Sequence, residues 1–479
     1  MNEPTEISSD LTSSELNAAL RAVLAAHIDD FSDLISCDRL SGGANQETYR
    51  IAIQTSGGAQ RLLAMRRAAG GNAVQDEAIY VGLPTEARLF QIMREAAIPA
   101  PEVHHVLTSQ DGLGDGFIMS WLSGETLGHK IVRAPEYEGI RPELAKQCGE
   151  ILAKIHAIDL REKGLERRLS KTTPKELVAT TWTRYKELDT PQPMIDYAGC
   201  WLEDNCPNQT RTSLVHNDFR NGNLMIDETG VIAVLDWEIA HIGDPMRDLG
   251  WLCTNSWRFG RSDLPVGGFG HYADLIAAYE AESGITINPI DIKFWEVFGS
   301  FWWAIGCLRM GQQYRDGPDR SVERPAISRR SSECQVDCVN LLAPGPVKLI
   351  EAQAEYCDNN LPPTSELLDS VAKFLLDDIA PVTDGRLAFL TKVASNSLQI
   401  IKREITLGHA AATQELVGLR ALFKCDESLD ALRWRLVIEL RERKIPMDDR
   451  DLIEHLRSVT VNRLAIDQPK YSGLKTAIQ

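Results

Sequence analysis

Three oxygen-bearing side chains close together in the chain, Asp218, Asn223 and Asp236, could hold and use a divalent cation. The polar run His216-Asn217-Asp218-Phe219-Arg220-Asn221-Gly222-Asn223 lies between the apolar pairs and triplets Leu214-Val215 and Leu224-Met225-Ile226, so it reads as a loop between short strands. A second apolar run, Val231 to Leu235, follows the turn sequence Asp227-Glu228-Thr229-Gly230 and ends at Asp236-Trp237-Glu238. Paired as a hairpin, the two runs bring Asn223 and Asp236 together at the open end. An amide oxygen beside a carboxylate is a hard donor set suited to Mg²⁺, which keeps its waters and takes few protein oxygens. Asp218, earlier on the same loop, belongs near that ion without ligating it, where a base accepting a hydroxyl proton should stand.

The order of base Asp, metal Asn and metal Asp is that of kinases. Here the protein-kinase His-Arg-Asp reads His216-Asn217-Asp218, and Asp-Phe-Gly reads Asp236-Trp237-Glu238. In those departures the chain resembles the aminoglycoside phosphotransferase and choline kinase superfamily. Over residues 20–350 it is most similar to the phosphotransferase domain fused to some acyl-CoA dehydrogenases and to bacterial stand-alone versions. The residues shared are His216–Asn223, Val234-Leu235-Asp236-Trp237-Glu238 and Gly243-Asp244-Pro245. The resemblance implies an α+β, bilobal protein kinase-like fold with a small β-rich N-lobe and a mostly helical C-lobe. It also implies ATP and Mg²⁺ as cofactors and a small-molecule hydroxyl as acceptor. Relatives of that branch are implicated in phosphorylating 4-hydroxyacyl-CoA thioesters, which makes a hydroxyacyl-CoA the expected substrate. A kinase of an amino alcohol or aminoglycoside and a pseudokinase scaffold are the rival readings. A cationic substrate would want an acidic pocket, whereas a CoA thioester needs basic residues such as Arg324, Arg329 or Arg330 at its phosphates.

Elements nearer the N-terminus must supply the nucleotide contacts. Gly42 and Gly43, with Asn45, lie in a loop between strand-like runs, where glycines let backbone N–H groups approach phosphate. Leu62, Ala64 and Arg66 share one face of the next strand. Glu86, Phe90, Met93 and Ala97 share one face of the following helix, and a carboxylate among apolar residues needs a partner. Arg66 is that partner, reproducing the Lys–Glu pair that holds nucleotide phosphates in kinases. The segment Phe117 to Gly124 reads as the strand and hinge at which Met119, Ser120, Trp121 and Leu122 meet adenine. His156, Asp244 and Asp248 read as braces and caps rather than reacting groups, and Trp295, Trp302 and Trp303 as core.

Length and composition bound the rest. A chain of 479 residues exceeds one hydrophobic core, and the reading divides it into an N-lobe at 1–118, a C-lobe at 119–355 and a helical domain at 361–479, with a linker over 358–363. That last segment resembles a small helical domain of unknown function that accompanies such kinases in bacteria. A formal charge of −17 argues against nucleic acid and anionic membrane as partners and is compatible with a homo-oligomer. The most apolar run, Phe294 to Met310, contains Glu296 and Arg309 and is too short to span a bilayer, so it reads as a buried helix. A polar, acidic N-terminus without an apolar signal segment and ten cysteines without CxxC pairs predict a reduced, cytoplasmic protein.

Overall fold

A computed structural model describes residues 12–40, 46–69, 80–208, 211–317, 319–351 and 361–479. In chain order, α1 (Ser13–His27) precedes β1 (Phe31–Arg39), β2 (Gln46–Thr55) and β3 (Gln60–Ala68). Next come α2 (Leu83–Glu95), β4 (Val103–Val106), β5 (Gly116–Ser120), α3 (Gly128–Ile131) and α4 (Arg141–His156). Helices α5 (Pro174–Lys186) and α6 (Pro193–Asp204) lead to four short strands, β6 (Ser213–Val215), β7 (Leu224–Asp227), β8 (Gly230–Val234) and β9 (His241–Gly243). Then follow α7 (Met246–Cys253), α8 (Tyr272–Ser283), α9 (Pro289–Asp316), α10 (Glu323–Arg329) and α11 (Ser331–Leu342). The chain ends with α12 (Thr364–Phe374), α13 (Gly385–Phe423), α14 (Leu429–Arg441), α15 (Arg450–Asp467) and α16 (Ser472–Ala477). The expected α+β class holds, with a β-rich N-terminal region and helices dominating the rest. The chain divides into two compact units, one of residues 1–172, 211–248 and 270–286, the other of 173–210, 249–269 and 287–479.

The first unit is built on a five-stranded antiparallel sheet in the order β1-β2-β3-β5-β4. Alternation decides which face is dry: Ile51 and Ile53 of β2, Leu63 and Met65 of β3 and Ile118 of β5 are fully buried together. Leu16, Leu20, Val23 and Leu24 put one stripe of α1 onto that core, and a Thr12–Glu15 capping box starts the helix. The register sets Arg66 opposite Thr48 of β2 and Phe117 of β5. Helix α4 packs tightly on α8, because a Cβ at Gly149 would stand 2.5 Å from the Leu275 carbonyl oxygen. The expected hairpin forms as β7–β8, while β6 pairs with β9, a strand too short to show a period in sequence.

The second unit is helical. The apolar run expected to be a buried helix is the central part of α9, in which Phe294, Trp295, Phe298 and Phe301 are buried. Among the described residues no helix is long and apolar enough to cross a membrane, and the described cysteines are free thiols. Trp295 is core as expected. Trp302 stacks edge-on against Trp251 at 5.0 Å, and Trp303 lies 5.9 Å from Trp257. Helix α11 ends at Leu342; residues 343–351 are described and lie outside helix, and the linker positions 358–360 lie outside the described residues.

Two buried carboxylates tie this unit together. Asp196 of α6 accepts from Trp182 Nε1 at 3.0 Å, from the Tyr185 hydroxyl at 3.0 Å and from both Nε (2.7 Å) and Nη2 (3.2 Å) of Arg441 on α14. Nearby, the Tyr197 hydroxyl donates to the Met447 carbonyl and Arg443 to that of Cys200. Asp337 of α11 accepts from Asn255 Nδ2 at 2.7 Å and from the Tyr471 hydroxyl at 2.6 Å. Burial pushes the Asp337 carboxyl up to about 7, against the pull of those two donors. A carboxyl raised above its unfolded value binds its proton more tightly in the folded chain. Its contribution is present in full below the unfolded pKa and is lost as pH rises through the folded one. The urea midpoint of the full chain should therefore fall between about pH 5 and about pH 8, and Asp337→Asn should flatten that slope. An equally steep slope in the variant would exclude Asp337 as its source.

Candidate functional site

The site is assembled around the hairpin. Leu224 pairs with Val234, and the Leu235 N–H donates to the Asn223 carbonyl at 2.8 Å, so Asn223 and Asp236 stand just beyond the last rung. Both line a cleft of about 570 Å³ within the first unit, together with Arg66, Gln46 and Glu238. Asp218 is bound to the same group: Asn223 Nδ2 donates to its Oδ2 at 2.6 Å and to its carbonyl at 3.0 Å, and Arg220 Nε to its Oδ1 at 2.9 Å. The turn between them requires Gly222, whose φ is +119° and where a Cβ would stand 2.5 Å from Arg220 Nη1.

The loop is held from behind by Asp248. Its carboxylate accepts the backbone N–H groups of His216 (2.8 Å) and Asn217 (2.7 Å), and His156 Nε2 donates to it at 3.1 Å. His156 Nδ1 in turn meets the Tyr279 hydroxyl at 3.0 Å. Burial acts to raise the Asp248 carboxyl, but the His156 hydrogen bond and the neighbouring imidazoles outweigh it and hold it below the usual range. Asn217 adopts φ +69°, and its side chain is fixed by Arg247 Nε on one end and the Ile239 carbonyl on the other. Asp244 caps α7 by accepting the Met246 N–H at 3.0 Å. The brace and cap roles expected of His156, Asp244 and Asp248 are what these contacts describe.

Arg66 reaches the cleft from β3. Its Nη1 lies 3.2 Å from Glu86 of α2, its Nη2 lies 2.5 Å from Asp236 and 3.8 Å from Glu238, and its Nε donates to Gln46. Gln46 Nε2 also donates to Glu238 at 3.2 Å. Burial raises the Glu86 carboxyl to about 7 although Arg66 pulls it down. Burial, reinforced by the charge of Asp236, raises Glu238 to about 8. The Arg66–Glu86 pair was legible in the sequence. Glu238 and Gln46 were missed as members of the site; the two-residue spacing from Asp236 and the place of Gln46 at the start of β2 were the available signals. Arg220, seen only as part of the motif, turns out to grip Asp218.

Met119, Ser120, Trp121 and Leu122 line the same cleft. The Ser120 and Trp121 N–H groups are already given to the carbonyls of Glu102 (2.8 Å) and Leu62 (3.4 Å). Gly42, Gly43 and Asn45 lie outside the described residues. The three arginines considered for CoA phosphates are each paired with acids: Arg324 with Asp319 at 2.6 Å, Arg330 with Glu333 at 3.0 Å, and Arg329 with Glu404 and, at 2.9 Å, Asp467.

Residues 36–285 match the phosphotransferase enzyme family, and residues 381–471 match a domain of unknown function (DUF6285). Acyl-CoA dehydrogenase family member 10 of Mus musculus is 27% identical over 249 residues, covering 50% of this chain and 22% of its own. Member 11 of Rattus norvegicus is 35% identical over 167 residues, covering 32% and 21%. The chain thus spans about a fifth of the length of these two curated relatives. In fold it is similar to a protein of Ralstonia eutropha provisionally assigned as an aminoglycoside phosphotransferase, with a TM-score of 0.54 and 23% identity over 68% of this chain and 97% of that one. The family match extends over more than half of the sequence, from β1 through the loop, the hairpin and α8, and on that ground the chain belongs to the phosphotransferase enzyme family.

Proposed function

We propose that this protein transfers the γ-phosphoryl group of ATP to a hydroxyl of a small molecule, and that the acceptor is a hydroxyacyl-CoA of the 4-hydroxyacyl type. The observation that carries the reading is the convergence of Asp218, Asn223 and Asp236 with the Arg66–Glu86 pair. The residues fit a hard cation: the Asn223 amide nitrogen is spent on Asp218, which leaves its oxygen to offer, and Arg66 takes one oxygen of Asp236. Bound between Asn223 and Asp236, Mg²⁺ would supply charge neutralisation on the phosphates.

Everything else falls to side chains of the protein. Asp218, oriented by Arg220 and Asn223, accepts the hydrogen bond of the substrate hydroxyl and takes its proton. Arg66, positioned by Glu86, faces the phosphates, Gly42, Gly43 and Asn45 follow them with backbone N–H groups, and Met119 to Leu122 border the adenine. The acyl-CoA acceptor is supported by relatives whose names carry acyl-CoA dehydrogenase. The helices of 361–479 stand outside the chemistry in this reading and pack with α6 and α11 in the second unit.

ADP release should be followed across hydroxyacyl-CoA thioesters, free hydroxy acids, amino alcohols and aminoglycosides. Turnover with the thioesters is expected; turnover confined to another class would remove the proposed acceptor, and none with any class would remove the kinase. With the best acceptor, Asp218→Asn and Asp236→Asn should each lower kcat by roughly 10³-fold or more, since transfer depends on positioned charge. A loss under tenfold in either would be incompatible with its role. Because Glu86 titrates near 7 and only its ionised form holds Arg66, KM for ATP should fall as pH rises through about 7. Glu86→Gln should show a higher KM with that pH response gone, and a profile parallel to wild type would count against the pair.

A further inference from the structure

A second cavity, of about 470 Å³, lies within the second unit, in the region that matches the domain of unknown function. Helices α13 and α15 form its walls, and residues of α6, α11 and α14 complete it. That volume is in the range of small-molecule sites. Among the described residues, none lines both this cavity and the cleft around Asp236.

Its lining is rich in donors. Arg433 spends Nε and Nη2 on Glu415, and Arg463 spends Nε on Asp467 and Nη1 on Glu404. Among the described residues, Nη1 of Arg433 and Nη2 of Arg463 therefore remain uncommitted, and a guanidinium with a spare edge recognises oxygen anions well. The Thr460 hydroxyl, on a residue only 6% exposed, and the His455 ring also line the cavity without a hydrogen-bond partner among the described residues. His455 is wedged in place, since a Cβ at Gly418 of α13 would stand 2.5 Å from its Nδ1. A hydroxyl, an imidazole and two guanidinium edges thus line the cavity with hydrogen-bonding capacity to offer a ligand.

Spare donors give the sign of what they would take. Glu404 and Glu415 also line the cavity, but each is already neutralised by arginine. Arg329 joins Glu404 and Asp467, and Arg403 donates to the carbonyls of Ile466 and Asp467. Asp430 also acts on Arg433, so four guanidiniums, of Arg329, Arg403, Arg433 and Arg463, accompany four carboxylates, and it is the spare donor edges of Arg433 and Arg463 that favour an oxygen anion. We infer that this cavity binds a small anion bearing carboxylate or phosphate oxygens, held by Arg433, Arg463, His455 and Thr460.

Titration calorimetry of the full chain with citrate and, separately, with inorganic phosphate tests this, and the two arms tell carboxylate from phosphate. Saturable binding of at least one is expected. Ala412→Leu, which fills the cavity and leaves its ion pairs intact, and Thr460→Val, which removes only the hydroxyl, should each weaken that binding by roughly tenfold or more. Should Ala412→Leu fail to fold, Thr460→Val decides. Saturable binding of neither anion, or isotherms in the folded variants that match wild type, would overturn the assignment.

Discussion

One buried carboxylate, Asp248, fixes where the chemistry can happen. It is an acceptor only, and it takes two consecutive backbone N–H groups, of His216 and Asn217, together with the His156 imidazole. Consecutive N–H groups can converge on one carboxylate only if the chain bends sharply there, and Asn217 does so in the left-handed region. That bend aims the following residue, Asp218, at the end of the β7–β8 hairpin. A hydrogen bond to an ionised partner is about twice as strong as a neutral one, so this clamp is stiffer than its three contacts alone suggest.

The second organising feature is the crowding of charge around Arg66. Glu86, Asp236 and Glu238 all lie within 3.8 Å of its guanidinium. Burying so many carboxylates together is unfavourable, and the upward shifts of Glu86 and Glu238 are how that cost is expressed. Such groups cluster where function demands them, because packing alone would be better served by apolar side chains. The cleft is therefore held by opposing charges instead of dispersion, in contrast to the dry layer of Ile51, Ile53, Leu63 and Met65 beside it.

What the sequence revealed follows from how locally each feature is encoded. The hairpin was legible because turn residues and two apolar runs lie within a dozen positions. Glu86 could be paired with Arg66 because a carboxylate on an apolar helix face must find a cation. Glu238 and Gln46 escaped because their meeting depends on strand register and on a segment 192 residues away, which no periodicity announces. Strand β9 escaped because three residues cannot display alternation. The bond between Asp196 and Arg441, 245 residues apart, was invisible for the same reason as Glu238.

That bond has a bearing on how the protein must be made. Asp196 sits in a stretch bracketed by the phosphotransferase match, whereas Arg441 belongs to the tail matched by another family. Yet both lie in one compact unit, and the acid is sealed from solvent. Remove the tail, and this carboxylate loses both its counterion and the helix packed over α6, and breaking such a buried pair costs several kcal/mol. Sequence families thus divide this chain where its packing does not, since Asp196 and Arg441 meet inside one compact unit. A shorter relative built on the same helices would have to exchange Asp196 for a residue that asks for no cation.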